Sequence, residues 1–320
     1  MRWATLAIFI DMKSFTAADG AKLTYWETGV GMPVVFLYPT PLDHDYWRPM
    51  VEDLAGVRAI VADLRGHGGS ELGANLPVGG FERVPDAPVL TIGQLADDTL
   101  ALLDHLEVQE VVFVGCSIGG YTLLELWRKA PGRMKGLAFV SSKPQPDAEA
   151  NLVKRVANIA QARAGASGAI FDGMAKLLIG ETARQRSPKI VKELRARMTL
   201  TPEALVSVQA GLAVRPDSVP TAATIGVPVL AIAGAEDSTA TPDEMEAFRA
   251  APGGCEFHLL PDAGHFSAYE QPHKVAALLA DCCGNRRVRA VLLMTWSERG
   301  PGGPRYSRPG GRRYLFLPEF

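Results

Sequence analysis

Residues 111–120, VVFVGCSIGG, hold a serine between glycines at the point where an apolar run ends. The run before Gly115 has the length and β-branched composition of a buried strand, and no helix breaker follows the serine until Pro131. A strand that turns directly into a helix needs small residues on both sides of the central position. The spacing G-x-S-x-G therefore predicts a tight strand–helix turn that lifts Ser117 clear of a sheet.

Short β-rich runs and helical patterns alternate along most of the chain. The pattern that begins at Ile92, for example, repeats apolar residues at steps of three and four. Strands that are apolar on both faces need helices on both sides of the sheet. We therefore predict an α/β fold with a mostly parallel central sheet flanked by helices, and strands at 22–27, 34–38, 57–62, 111–115, 136–141, 227–233 and 256–260.

One long segment, residues 142–220, interrupts the alternation with successive helical patterns and no strand. Because the strand pattern resumes after it, we interpret it as a helical cap between two parts of one core, residues 12–141 and 221–283. Residues 1–11 are predicted to be an unstructured extension. Residues 284–320 hold eight arginines and two glutamates among Gly/Pro pairs. We predict an unstructured tail there, with a basic arm for nucleic acid as the alternative.

Composition excludes several classes of function. An apolar content of 47% supports a sizeable core, and a net charge of −2 favours neither nucleic acid nor an anionic membrane as a partner. No apolar run has the length of a membrane span. The four cysteines have neither metal-site nor disulfide spacing, so we expect a cytoplasmic protein with reduced thiols and no metal. No nucleotide-binding motif occurs, and no cofactor is expected.

A serine hydroxyl is a weak nucleophile unless a base removes its proton. The turn at Ser117 therefore predicts a histidine and a carboxylate later in the chain, each in a loop after a strand. Asp237 follows the run 227–233, and His265 follows the run 256–260. We predict that His265 acts as the base and that Asp237, rather than its neighbour Glu236, orients the imidazole.

These segments resemble the α/β-hydrolases over about residues 13–282. The turn DLRGHGGS at 63–70 is similar to the family's D-x-R-G-x-G-x-S loop, and we interpret His67 within it as structural. The likeness to small esterases and 3-oxoadipate enol-lactonases rests on YPTPLDHDYW, GCSIGGYTLLEL and VRPDS. The resemblance implies an oxyanion hole formed by the backbone N–H groups of Thr40 and Ile118. Tyr38-Pro39 departs from the family's usual His-Gly.

The expected activity is hydrolysis of a small-molecule carboxylic ester or lactone through an acyl-enzyme on Ser117. A C–C bond hydrolase, a cofactor-free perhydrolase and a non-catalytic ligand-binding member of the fold stay open as alternatives. We expect a monomer or homodimer that binds neither nucleic acid nor membrane. Position alone suggests Tyr38, Trp47 and Arg215 as substrate contacts.

Overall fold

The computed structural model describes residues 11–282 and 315–316. A single mixed sheet runs through this part of the chain, and its central strands are apolar and buried. The strands are β1 Lys13–Thr16, β2 Lys22–Thr28, β3 Met32–Leu37, β4 Val57–Ala62, β5 Val111–Cys116, β6 Met134–Val140, β7 Val229–Gly234, β8 Cys255–Leu260 and β9 Leu315–Phe316.

The strand order is β1-β2-β4-β3-β5-β6-β7-β8-β9. Strands β1 and β2 are antiparallel to each other, β2 is antiparallel to β4, and all later neighbours are parallel. The carboxyl ends of β3 to β8 therefore lie along one edge of the sheet. Loops at this edge are where an open α/β sheet places its functional residues.

The helices pack around the sheet in groups. Helix α1 contacts α12, whereas α3 contacts both α2 and α9. The helices are α1 Arg48–Val51, α2 Ile92–His105, α3 Ile118–Lys129, α4 Glu149–Arg163, α5 Ser167–Leu178, α6 Glu181–Arg186, α7 Pro188–Ala196, α8 Pro202–Ala213, α9 Val219–Ala222, α10 Pro242–Met245, α11 Ser267–Glu270 and α12 Pro272–Cys282. Single 3₁₀ turns occur at His44–Tyr46, Pro131–Arg133 and Glu246–Ala250.

Helices α4 to α8 form an insertion between β6 and β7 and lie over the carboxyl edge of the sheet. The carbonyl oxygen of Leu178, at the end of α5, accepts the amides of His265 (2.9 Å) and Phe266 (3.2 Å). In α8, the carbonyl of Ser207 accepts the amide of Leu90 at 3.0 Å. The insertion is thus joined to loops on both sides of the core.

The predicted α/β fold with a mostly parallel, helix-flanked sheet is confirmed. The pattern missed β1, because three of its four residues are polar and exposed and form no apolar run. Strand β9 lies within residues 284–320, which were expected to be an unstructured tail, and it pairs with β8. Residues 1–10, 283–314 and 317–320 lie outside the described residues, so the predictions for them stay predictions. Among the described helices, none has both the length and the apolarity needed to cross a membrane.

Candidate active site

Ser117 stands at a sharp turn between β5 and α3. Its backbone has φ 52° and ψ −117°, a left-handed conformation that a residue with a side chain adopts only when its surroundings enforce it. The carbonyl groups of Val140 and Ser141 accept its amide at 3.3 and 3.2 Å. The hydroxyl of Ser142 donates to its carbonyl oxygen at 3.0 Å. The main chain at Ser117 is therefore held by the end of the neighbouring strand β6.

The glycines on either side make this turn possible. A Cβ atom on Gly115 would lie 2.6 Å from the backbone of Gly119. One on Gly119 would lie 2.2 Å from the carbonyl oxygen of Leu37 in β3. Because real atoms do not approach so closely, a larger residue would push α3 away from the sheet. The first turn of α3 consequently rests directly on the end of β3.

Asp237 and His265 follow the adjacent parallel strands β7 and β8 and contact each other. Nδ1 of His265 lies 2.8 Å from Oδ2 of Asp237, and both side chains are buried. The second carboxylate oxygen, Oδ1, accepts the amides of Thr239 at 2.7 Å and Ala240 at 3.0 Å. Because a carboxylate only accepts hydrogen bonds, Nδ1 carries the hydrogen and Nε2 of the neutral ring keeps its lone pair.

His265 also lies beside the turn that carries Ser117. The Cys116 thiol accepts a hydrogen bond from the Tyr46 hydroxyl at 3.3 Å and donates to the His265 carbonyl oxygen at 3.7 Å. Burial raises the pKa of this thiol, which keeps it protonated. Within the described residues, no hydrogen bond joins the Ser117 hydroxyl to the His265 ring. Such contacts are often long in enzymes without bound substrate.

The two backbone amides predicted to form the oxyanion hole follow adjacent strands. Strands β3 and β5 are parallel neighbours with Leu37 opposite Gly115, so Thr40 and Ile118 follow at the same edge of the sheet. Ile118 is the first residue of α3, and the first amides of a helix have no acceptor within it. Among the described residues, no protein group accepts the amide of Thr40. Both donors are thus available.

The three residues suggested as substrate contacts are engaged with other protein groups. The Tyr38 hydroxyl donates to Asp63 at 2.9 Å. The Trp47 ring is fully buried. Arg215 binds Asp147 at 2.6 Å and lies over the ring of Tyr121. Their contact with a substrate stays a prediction.

A small cavity of about 10 Å³ lies beside the first turns of α3 and is lined in part by Tyr121, Lys143 and Arg215. Lys143 is held by Glu244 at 2.6 Å, so the positive charges around the cavity are compensated by carboxylates. Within residues 11–282, no group of three or more His, Cys, Asp or Glu side chains is arranged to hold a metal ion.

We interpret His67 from the sequence as structural, but the sequence does not predict its contact with Thr40. Its Nε2 lies 2.9 Å from the Thr40 hydroxyl, although the two residues belong to different loops. The adjacency of β3 and β4 brings these loops together, so the sequence could have revealed the contact only through a correct strand order.

The insertion also contacts the loops that carry Asp237 and His265. Glu236 accepts hydrogen bonds from the amide and the hydroxyl of Thr182, which leaves Asp237 as the carboxylate that contacts His265. Glu270 accepts the amides of Gly180 at 3.2 Å and Gly264 at 2.9 Å. Carboxylates on the core side of the interface thus bind the chain at the start of α6.

A mostly parallel sheet with a strained serine turn after its central strand, followed in chain order by an acid and a histidine, defines the α/β-hydrolase class. A sequence model of the alpha/beta hydrolase fold matches residues 32–272. The chain belongs to this family.

Individual relatives have different activities. The 3-oxoadipate enol-lactonase 2 of Acinetobacter baylyi is 30% identical over 241 residues, 69% of this chain and 78% of that protein. The non-heme chloroperoxidase CPO-A1 of Kitasatospora aureofaciens is 33% identical over 133 residues, which cover 40% of this chain and 43% of that protein. A thermophilic esterase from Thermogutta terrifontis has a similar structure, with a TM-score of 0.77 and 30% identity over 87% of this chain and 99% of that one.

Proposed function

We propose that the protein is a serine hydrolase that cleaves a small-molecule carboxylic ester or lactone through an acyl-enzyme on Ser117. The observation that carries the proposal is the 2.8 Å hydrogen bond between His265 and Asp237 beside the strained turn of Ser117. The similarity to an esterase and to an enol-lactonase supports the same class of substrate. A cytoplasmic location is part of the proposal.

In this mechanism, Nε2 of His265 takes the proton of the Ser117 hydroxyl as the oxygen attacks the substrate carbonyl. The amides of Thr40 and Ile118 donate to the oxyanion that forms, and each donor is worth about 3 kcal/mol in the transition state. His265 then returns the proton to the leaving alkoxide. A water molecule, deprotonated by the same nitrogen, hydrolyses the acyl-enzyme and releases the acid.

A perhydrolase on the same three residues is the second candidate, and the similarity to a chloroperoxidase favours it. In that reaction hydrogen peroxide, rather than water, attacks the acyl-enzyme and releases a peracid. Both candidates pass through the same acyl-enzyme, formed from an ester with loss of the alcohol or from a carboxylic acid with loss of water, and they differ in the nucleophile that attacks it.

The test is fluorophosphonate labelling of the wild type and of Ser117→Ala, with turnover of p-nitrophenyl acetate and butyrate measured in parallel. We expect the wild type to be labelled and to turn over both esters. Both activities should vanish in Ser117→Ala, because the proposed nucleophile is then missing. Ser14→Ala, at an exposed position on β1, is the matched control and should behave as the wild type.

Peroxide discriminates the second candidate. If acetate and hydrogen peroxide yield peracetic acid faster than the enzyme hydrolyses esters, and only when Ser117 is present, the perhydrolase is the correct assignment. A wild type that neither labels nor turns over either substrate would contradict both candidates and favour a ligand-binding role.

A further inference from the structure

The segment Pro39-Thr40-Pro41 contains a single backbone N–H, because proline has none. Among the described residues that N–H has no acceptor, and the side chain of Thr40 makes one hydrogen bond, to His67. The turn around Thr40 is closed by a hydrogen bond from the Leu42 amide to the Pro39 carbonyl at 3.1 Å. Among the described residues, the contact with His67 is the hydrogen bond that Thr40 itself makes.

The hydrogen positions in this contact follow from the partners of the ring. Nδ1 of His67 lies 2.9 Å from the carbonyl oxygen of Arg65, and a carbonyl can only accept, so Nδ1 carries the hydrogen. Burial lowers the pKa of His67 to about 4, so the ring is neutral at working pH. Nε2 then has a lone pair, and the Thr40 hydroxyl must donate to it.

His67 is itself held rigidly. Its ring is fully buried and meets the Tyr38 ring edge-on, with 6.0 Å between centroids. Asp63 ties the same turn together, since it accepts from the Tyr38 hydroxyl at 2.9 Å and from the Gly69 amide at 3.0 Å. The hydroxyl of Tyr38 also accepts the amide of Leu64 at 3.0 Å. These contacts join the loop after β3 to the loop after β4.

We propose that His67 is a positioning residue: by accepting the Thr40 hydroxyl it orients the Thr40 amide toward the oxyanion of the substrate. This inference rests on the proposed hydrolase function.

The test compares kcat, KM and the rate of fluorophosphonate labelling for Thr40→Val, His67→Leu and the double variant. Thr40→Val keeps the shape and the backbone N–H and removes only the hydroxyl. We expect each single variant to lower kcat and the labelling rate by roughly 10- to 100-fold, with KM changed less than about 3-fold, because the oxyanion donor acts in the transition state. The double variant should be no slower than the slower single variant, since both remove one contact.

Two further variants separate positioning from general destabilisation. Thr40→Ser restores the hydroxyl and should recover most of the activity that Thr40→Val loses. His273→Leu removes a histidine that is 82% exposed at the start of α12 and should leave kcat unchanged. Thermal unfolding of each variant shows whether it is folded, and Thr40→Val keeps the test valid if His67→Leu does not fold.

The outcomes distinguish this inference from the function on which it rests. If the wild type labels but Thr40→Val has wild-type kcat, or if the losses of the two single variants multiply, the positioning role is wrong and the hydrolase assignment stands. If the wild type does not label at all, the hydrolase assignment fails and the inference fails with it.

Discussion

At the scale of single residues, the orientation of the Asp237 carboxylate is fixed by its surroundings. Oδ1 accepts the amides of Thr239 and Ala240, so only Oδ2 is directed at His265. An amide side chain at this position would have to keep its oxygen on the two backbone donors. Its NH₂ group would then face Nδ1 of His265.

Asp237→Asn should therefore abolish most activity without loosening the fold. The NH₂ group donates to Nδ1, so the hydrogen of the neutral ring moves to Nε2, and His265 can no longer accept the Ser117 proton. We expect kcat to fall by about 10⁴-fold, while the thermal midpoint changes little. Steady-state kinetics and thermal unfolding check this. A loss below about tenfold would show that Asp237 does not set the tautomer.

At the scale of elements, the approach of α3 to β3 controls the position of the Ile118 amide. The contact depends on Gly119, which has no room for a side chain because the carbonyl oxygen of Leu37 occupies that space. A helix moved outward by even a fraction of an ångström would carry Ser117 and Ile118 with it. The packing of α3 against β3 therefore affects both stability and the position of the proposed oxyanion donor.

Gly119→Ala should lower both stability and kcat. Overpacking a tight contact costs about 1–3 kcal/mol, and the displaced helix end misplaces the oxyanion donor. The matched control is Gly173→Ala in α5, where an added Cβ meets nothing within 4 Å. That variant should be stabilised by up to about 1 kcal/mol with normal kcat, as expected for glycine replaced within a helix. Urea unfolding and kinetics of both variants test the difference, and equal behaviour would contradict it.

At the scale of the whole molecule, Glu270 links the helical insertion to the loop of His265. Its Oε2 accepts the amides of Gly180 and Gly264, whereas Oε1 is buried and has no partner among the described residues. Burial, together with the nearby charge of Glu236, raises the pKa of Glu270 from 4.5 to about 7. The native state therefore holds a proton on Glu270 at pH values where the unfolded state does not.

This difference makes stability depend on pH with a definite sign. Between pH 4.5 and 7 the native protein binds more protons at Glu270, so the contribution of this group to stability is lost as pH rises. The full loss is on the order of 3 kcal/mol. We expect Glu270→Gln to flatten the pH profile of the unfolding free energy in this range. Urea unfolding at pH 5, 6, 7 and 8 measures it.

Glu52→Gln, at an exposed position after α1, is the control for this experiment and should keep the wild-type profile. Parallel profiles for Glu270→Gln and the wild type would show that Glu270 does not take up a proton in this range. Glu270→Gln can also be less stable at every pH, because its buried NH₂ group lacks a hydrogen-bond partner. The expectation concerns only the slope of the unfolding free energy with pH, which should be flatter than in the wild type.

Sequence alone determined the fold class and the positions of Ser117, Asp237 and His265 as predicted site residues. The fold class and these positions follow from local patterns. Apolar runs indicate strands, and a serine between glycines at a strand end indicates a tight strand–helix turn. The loops that carry an acid and a histidine were visible for the same reason. Helix and strand bounds deviated mainly at the ends, where the periodic pattern fades.

Only the tertiary structure decided which side chains meet across loops. The contact of His67 with Thr40, the compensation of Arg215 by Asp147, and the link of Glu270 to the insertion join residues 27, 68 and 90 positions apart. No local pattern encodes such pairs, because they depend on strand order and on how the insertion packs over the sheet. The sequence therefore specified the proposed chemistry, and the packing specified how its donors are held.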